Sequence, residues 1–316
     1  MGWPEIADGR NTLIVAPTGS GKTLAAFLAA LDLLWKTPRR EKGVRILYIS
    51  PLKALNEDVR RNLEIPLEGI LERANELGTP LQRLQVAVRS GDTPARDRAR
   101  IAAKPPDILI ITPESLHLML TSKARGVLRS VSHVIVDEIH AICANKRGVF
   151  LALLLERLEA ITQTPFTRIG LSATQRPLEE VARYLGGRRI VKDPTGVNQF
   201  EPRPVTIVDA GRRESMDLQV IWPGPRDGGL LGAPGTIWPA IEERVRQLAE
   251  AHRSTIIFAN NRRTVEKLTV RLNEVSQLDG PVLDLDDDPD DLSRPSLPFR
   301  AHHGSLSLPE RRATEE

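Results

Sequence analysis

Cysteine is almost absent from this chain. A single residue, Cys143, in 316 excludes a disulfide framework and any metal site built from several cysteines, and makes a reducing cytoplasm the simplest compartment. Cys143 itself is expected to be a small buried filler. The adjacent His302 and His303 have no further ligand at a recognisable spacing, so no structural metal is expected. Long apolar runs are missing too. The longest, residues 24–34 and 149–155, are too short or too interrupted to span a bilayer, and the first residues show no basic segment followed by an apolar stretch. A soluble protein away from membranes is the expectation, and no repeat of the solenoid kind occurs.

Neither sign of charge dominates, since 44 Lys and Arg stand against 41 Asp and Glu for a net charge of +3. Six of the acids, however, crowd into residues 284–291, which leaves the remainder distinctly basic and suited to a polyanionic partner. The length fits about two domains.

What is present is organised around Ala16-Pro17-Thr18-Gly19-Ser20-Gly21-Lys22-Thr23. An apolar run at 12–15 precedes this stretch and an apolar helical run at 24–35 follows, the strand–loop–helix context that a phosphate-binding loop requires. Gly19 and Gly21 let successive N–H groups and a helix N-terminus face a phosphate chain. Lys22 brings a point charge and Thr23 a hydroxyl for Mg²⁺. A nucleoside triphosphate with Mg²⁺ is the ligand implied.

Further on, strands are expected at 44–50, 86–89, 107–111, 131–136 and 167–171, with helical segments between them. Polar motifs stand at the strand ends: Ser90-Gly91-Asp92-Thr93-Pro94, Thr112-Pro113-Glu114-Ser115, Asp137-Glu138-Ile139-His140 and Ser172-Ala173-Thr174. Alternation of this kind predicts a parallel, doubly wound α/β sheet with its ligand along the C-terminal edge. Residues 186–235, rich in Gly, Pro and Arg, read as a domain junction with short strands at 204–208 and 218–222. A second α/β domain begins with a helix at 238–252, a strand at 254–259 and a helix at 264–275. The acidic, proline-containing stretch 279–298 reads as a solvated loop. Asp137 fits a metal-holding carboxylate, and Glu138 beside it fits a base that polarises the attacking water.

The ordered stretches APTGSGKT, PLKAL, TPES, DEIH and SAT resemble the successive motifs of superfamily 2 DExH helicases. The finer pattern, including IVDEIHAICANKRGVFLALLLERL, GLSATQRPLEEVARYLGG, RPVTIVDAGRRESMDLQV, IIFANNRRTVEKL and AHHGSLS, is similar to the large helicase-related (Lhr) branch. The resemblance implies tandem RecA-like P-loop domains: residues 1–201 as the ATP-binding domain, and residues 202–316 as a truncated second domain carrying the acidic loop. It implies that Thr18, Gly19, Ser20, Gly21, Lys22 and Thr23 bind ATP, that Thr23 and Asp137 hold Mg²⁺, and that Lys22, Asp137 and Glu138 are catalytic. His140, Ser172 and Thr174 would couple nucleotide state to domain movement. Pro51, Leu52, Lys53, Gly91, Asp92, Thr112 and Pro113, with Asn260, Arg262, His303, Gly304 and Ser305, would line the nucleic-acid groove. Such residues contact backbone and not bases, so no sequence specificity is expected.

The implied activity is ATP hydrolysis on single-stranded DNA coupled to 3′-to-5′ translocation. An RNA remodeller and a non-catalytic module that binds ATP and nucleic acid remain open beside it. Two expected segments have no counterpart: a glutamine-containing adenine-recognition segment before the phosphate loop, and an arginine motif completing the second domain.

Overall fold

The computed structural model of the chain describes residues 2–17, 19–37, 42–51, 56–173, 176–193, 196–211, 217–222, 237–278 and 299–303. They fall into two compact units, Met1–Ser215 and Met216–Glu316.

The first unit opens with α1 (Gly2–Ala7), β1 (Thr12–Val15) and α2 (Lys22–Lys36), followed by β2 (Ile46–Ile49), α3 (Asn56–Glu76), β3 (Val86–Arg89), α4 (Ala95–Ala103), β4 (Ile108–Ile111) and α5 (Pro113–Leu120). A 3-10 helix (Lys123–Leu128) leads to β5 (His133–Val136), α6 (His140–Cys143), α7 (Lys146–Glu159), β6 (Thr167–Ser172) and α8 (Leu178–Gly186). The unit closes with β7 (Arg188–Lys192), β8 (Asn198–Pro202) and β9 (Thr206–Asp209). Seven strands form one sheet in the order β3-β4-β2-β5-β6-β1-β9, with every neighbouring pair parallel. All seven strand C-termini therefore point to one edge.

The strands are apolar on both faces because both faces are covered. Period-two alternation sends Leu13, Leu47, Ile49, Leu109, Ile111, Val134 and Val136 to one side, where they pack on Ile101 of α4, Leu116 and Met119 of α5, Leu151 and Leu155 of α7 and Leu185 of α8. Ile14, Ile46, Tyr48, Ile108, Ile110 and Ile135 face the other side, against Ile6 of α1, Phe27 and Leu31 of α2 and Leu63 of α3. The result is a helix–sheet–helix sandwich whose loops at the C-terminal edge are free to carry chemistry.

The chain before β1 forms a helix, because Ile6 finds a fully buried place in the core. The region expected to be an open junction contains the antiparallel pair β7 and β8. Its base is fastened by an ionic cluster: Arg168, almost wholly buried, reaches Glu156 and Glu159 at 3.0 and 2.5 Å, and Arg203 reaches the same two carboxylates at 2.8 and 3.0 Å. β9 lies within the first unit, past the boundary expected at 201, since it pairs with β1 and Ala210 N–H donates to Val15 C=O at 2.8 Å. Cys143 is half-buried, with Sγ 3.6 Å from the carbonyl of His140.

The described part of the second unit holds α9 (Trp238–Glu250) and α10 (Arg262–Leu278) and no strand. The strands expected at 218–222 and 254–259 are not formed. Neither segment has a partner strand among the described residues, and Ile256 and Phe258 are 80% and 91% exposed. The acidic stretch 279–298 lies outside the described residues.

Candidate functional site

β1 delivers the phosphate loop to the C-terminal edge, where Ala16 N–H donates to Ser172 C=O at 3.1 Å and ties the loop to the end of β6. Gly19 and Gly21 have φ of 82° and 80°. A Cβ at either position would meet open space, so the left-handed backbone, not crowding, requires glycine here. Gly21 caps α2 with no side-chain hydrogen bond, and the first turn of α2 carries no acid. The N–H groups and positive dipole end of this fifteen-residue helix are left for an anion.

Lys22 opens α2 and is buried; its Nζ is 3.6 Å from Glu138 Oε1. The acidic pair arrives on the end of β5. Asp137 N–H donates to Ile49 C=O at 2.9 Å and Ile139 N–H to Leu171 C=O at 3.0 Å, which locks this turn between β2 and β6. Glu138 sits at φ 42°, a left-handed conformation for a residue with a side chain, a strain that costs on the order of 1–3 kcal/mol and gathers at functional sites.

Asp137 is buried and both of its oxygens are held: Oδ1 accepts from Glu138 N–H at 2.9 Å and Oδ2 from the Tyr48 hydroxyl at 2.5 Å. Burial raises its pKa above the ordinary carboxylate range, with the Glu138 charge adding to the rise and the Tyr48 hydrogen bond opposing it. Tyr48 is pushed upward in turn, first by burial and then by the Asp137 charge, while the hydroxyl of Thr23 works against that rise. Its ring stacks on Phe27 of α2 with centroids 5.0 Å apart. Phosphate loop, helix and acidic strand end are thereby joined through one aromatic residue.

His140 makes the third link. Its Nδ1 accepts from Ala173 N–H at 3.2 Å, lies 3.3 Å from Ser172 Oγ and is 3.4 Å from Glu138 Oε2. Nδ1 accepts the Ala173 N–H only without a proton and bonds the Glu138 carboxylate only with one, so the two contacts exclude each other.

Pro51, Gly91, Asp92, Thr112 and Pro113 stand along the same edge, after β2, β3 and β4. Thr112 caps α5 through Ser115 N–H and Pro113 takes the first helical position. Arg147, not singled out from the sequence, holds these loops in place. Its Nη1 donates to Pro51 C=O at 3.0 Å while Nε and Nη2 reach Glu114 Oε1 at 2.9 and 2.8 Å. In the second unit, Asn260 is exposed, Arg262 begins α10, and His303 Nε2 lies 2.5 Å from Glu266 Oε1. Thr18, Leu52, Lys53, Thr174, Gly304 and Ser305 lie outside the described residues.

Two functional candidates, Tyr48 and Arg147, were missed in the sequence. Tyr48 looks like any apolar strand position, and Arg147 is one arginine among many. Among the described residues no group of three or more His, Cys, Asp and Glu is placed to hold a metal. Mg²⁺ bound with a nucleotide needs only one or two carboxylates, the phosphates and water supplying the remaining ligands, and Asp137 beside Thr23 fits that donor set.

A phosphate loop after the first strand and an acidic turn two positions away in a parallel sheet define the first unit as a P-loop, RecA-like α/β domain. The family model for DEAD/DEAH box helicases matches residues 1–181. The chain belongs to this family, within its Lhr branch. It is 48% identical over 331 residues to the Lhr helicase/probable uracil glycosylase of Mycolicibacterium smegmatis, covering 99% of this chain and 21% of that protein. It is 47% identical over 280 residues to the Lhr helicase/uracil glycosylase of Escherichia coli, covering 86% and 18% respectively. A solved structure of the Mycobacterium smegmatis helicase Lhr bound to ssDNA and AMP-PNP matches with a TM-score of 0.78 and 49% identity, over 99% of this chain and 36% of that one. The chain thus spans about a fifth of the length of these curated relatives. Among the described residues no helix is long and apolar enough to cross a membrane.

Proposed function

We propose that this chain forms part of an ATP-driven motor that acts on single-stranded DNA. The observation that carries the reading is the meeting of Lys22, Asp137 and Glu138 at one edge of the sheet, at the uncapped N-terminus of α2. In this reading Thr18 through Thr23 hold the triphosphate, with Lys22 neutralising its terminal charge. Asp137 and Thr23 would hold Mg²⁺, which would supply charge compensation for the triphosphate. Glu138 accepts the proton of the attacking water, and its fixed, strained position aims the carboxylate at the nucleotide and not into the core. His140 and Ser172, with Thr174, relay the nucleotide state, because loss of the Glu138 contact changes which group His140 Nδ1 serves.

The nucleic-acid part of the proposal rests on Pro51, Leu52, Lys53, Gly91, Asp92, Thr112 and Pro113 on the first unit and on Asn260, Arg262, His303, Gly304 and Ser305 on the second. Support for DNA comes from the relative that was solved with ssDNA and AMP-PNP. RNA is the second reading, since backbone contacts at loop ends accept either strand. The test is phosphate release by residues 1–316 at fixed Mg²⁺·ATP, with a poly(dT) oligomer, with a poly(U) oligomer and with neither. Stimulation by poly(dT) above poly(U) is expected. Equal or greater stimulation by poly(U) would replace DNA by RNA as the substrate, and a chain that binds no ATP would remove the motor reading.

A further inference from the structure

Arg89 closes β3 at the edge that carries the loops, and it is only 8% exposed. Buried arginines in proteins are paired with carboxylates or carbonyl groups, as Arg45 is with Asp107 at 3.2 Å and Arg168 with Glu156 and Glu159. Arg89 has no such partner among the described residues. Burial lowers its pKa, and the charge of Arg98, another cation, adds to that fall. Unlike lysine or histidine, a guanidinium does not escape burial by losing its proton. The fully buried, unbonded side-chain nitrogens among the described residues are those of Arg45, Asn56 and Arg168, so the Arg89 guanidinium reaches solvent and is open to an outside anion.

The surroundings indicate which anion. Alternation along β3 sets Arg89 on the face of Ala87, the side covered by α4 and α5. In the ladder it is opposite Ile111, so the next residue of the neighbouring strand is Thr112, the cap of α5. Arg98 holds the loop that follows Arg89, its Nε donating to Thr93 C=O at 2.8 Å and Nη2 to Gly91 C=O at 2.7 Å. The nearby acids have partners of their own: Glu114 pairs with Arg147, Asp97 with Arg100, and the exposed Asp92 is also engaged. A largely buried cation, a second cation and the start of an eight-residue helix thus stand at one corner of the sheet edge, and among the described residues no carboxylate pairs with Arg89.

We propose that Arg89 binds a backbone phosphate of the nucleic-acid strand, in a subsite that it forms with Arg98 and the N-terminus of α5. The inference rests on the groove reading given above and adds to it a residue that no helicase motif in the sequence contains. A lone phosphodiester matches the site because it is a compact monoanion whose paired oxygens suit the guanidinium fork. The repulsion from Arg98 in the free protein is then compensated in the complex, so Arg89 adds nothing to the stability of the fold, or lowers it, and strengthens binding.

That opposition of signs is the test. Arg89→Met keeps the aliphatic stem and removes the charge. Binding of fluorescent (dT)₁₆ by residues 1–316 is followed by anisotropy across a salt series, alongside thermal unfolding and a nucleotide titration. The variant is expected to lose roughly tenfold or more in affinity, to show a salt slope shallower by about 0.7, the value of one phosphate contact on a single strand, and to unfold at the same or a higher temperature. Arg89→Lys is expected to restore the slope and part of the affinity. If the unaltered chain binds the oligomer and Arg89→Met binds with the same affinity and slope, Arg89 is not a phosphate ligand. A lower unfolding temperature in Arg89→Met would assign Arg89 a structural partner and also overturn the proposal. Should the unaltered chain bind nucleotide but no oligomer, the groove reading falls and this inference with it.

Discussion

The hydroxyl of Tyr48 donates a 2.5 Å hydrogen bond to Oδ2 of Asp137, across the boundary between β2 and β5. In its proposed role as a ligand of Mg²⁺, Asp137 has to stay ionised while buried, and burial alone works against that. Tyr48 supplies the counterweight. Its own proton is kept in place by burial and by the Asp137 charge.

Removing that hydroxyl should therefore be visible as a pH effect. In Tyr48→Phe the stack on Phe27 survives, but Asp137 keeps its proton to higher pH because the hydrogen bond that opposes the rise is gone. A hydrogen bond to a charged group contributes about 1.5–3 kcal/mol, so the midpoint of Mg²⁺-dependent nucleotide binding should move up by about one to two pH units. Nucleotide titrations at several Mg²⁺ concentrations between pH 5.5 and 8.5 would measure it. An unshifted pH profile in the folded variant would show that Tyr48 does not tune Asp137.

Lys22 and Glu138 face each other at 3.6 Å but are expected to fail differently. Lys22→Ala should lose most nucleotide affinity in a folded protein, since the charge at the terminal phosphates is gone. Glu138→Gln should bind nucleotide nearly as the unaltered chain does and lose hydrolysis, because an amide does not accept the water proton. Binding titrations and single-turnover phosphate release separate the two. Hydrolysis retained within a few-fold in Glu138→Gln would remove Glu138 from the role of base.

His133 predicts a loss of stability in acid. Burial lowers its pKa from 6.5 to about 4, so between those values the unfolded chain binds a proton that the folded one does not. Stability contributed by the neutral ring is thus complete above pH 6.5 and declines as pH falls toward 4, by about 3 kcal/mol in total. The raised Asp137 has the opposite sign and offsets part of this slope. Urea unfolding at pH 7.0 and 4.5 should show a smaller difference for His133→Gln than for the unaltered chain. Equal acid losses in the two proteins would place the sensitivity elsewhere.

The sandwich was legible because each of its strands from β1 to β6 is a short apolar run that ends in a polar motif, as Thr12–Val15 does before Ala16. Residues that lie at chain-distant meeting points were not. Tyr48 and Asp137 are 89 residues apart, and nothing local marks a strand tyrosine as a hydrogen-bond donor to a particular acid. Arg147 and Arg89 are equally silent in a chain with many arginines, since only burial and the identity of the neighbours separate a clamp or an unpaired cation from a solvated surface charge. β7 and β8 were missed because Gly187 precedes the pair and Pro202 ends it, both of them turn residues, and local composition outweighed the pairing that the tertiary fold allows. The strand at 254–259 erred in the other direction. Ile256 and Phe258 have strand propensity but no strand among the described residues to bond with, and propensity without a partner does not make a sheet.

β9 is the last strand of the first unit, and it runs parallel to β1 with Asp209 opposite Val15. The hydrogen bond from Ala210 to Val15 is therefore one residue away from the start of the phosphate loop. The polypeptide that follows β9 thus starts from the strand bonded to the one that carries the loop. A displacement of the loop's root at Val15 is shared by Ala210 at the end of β9, as two rungs fixed to one rail move together.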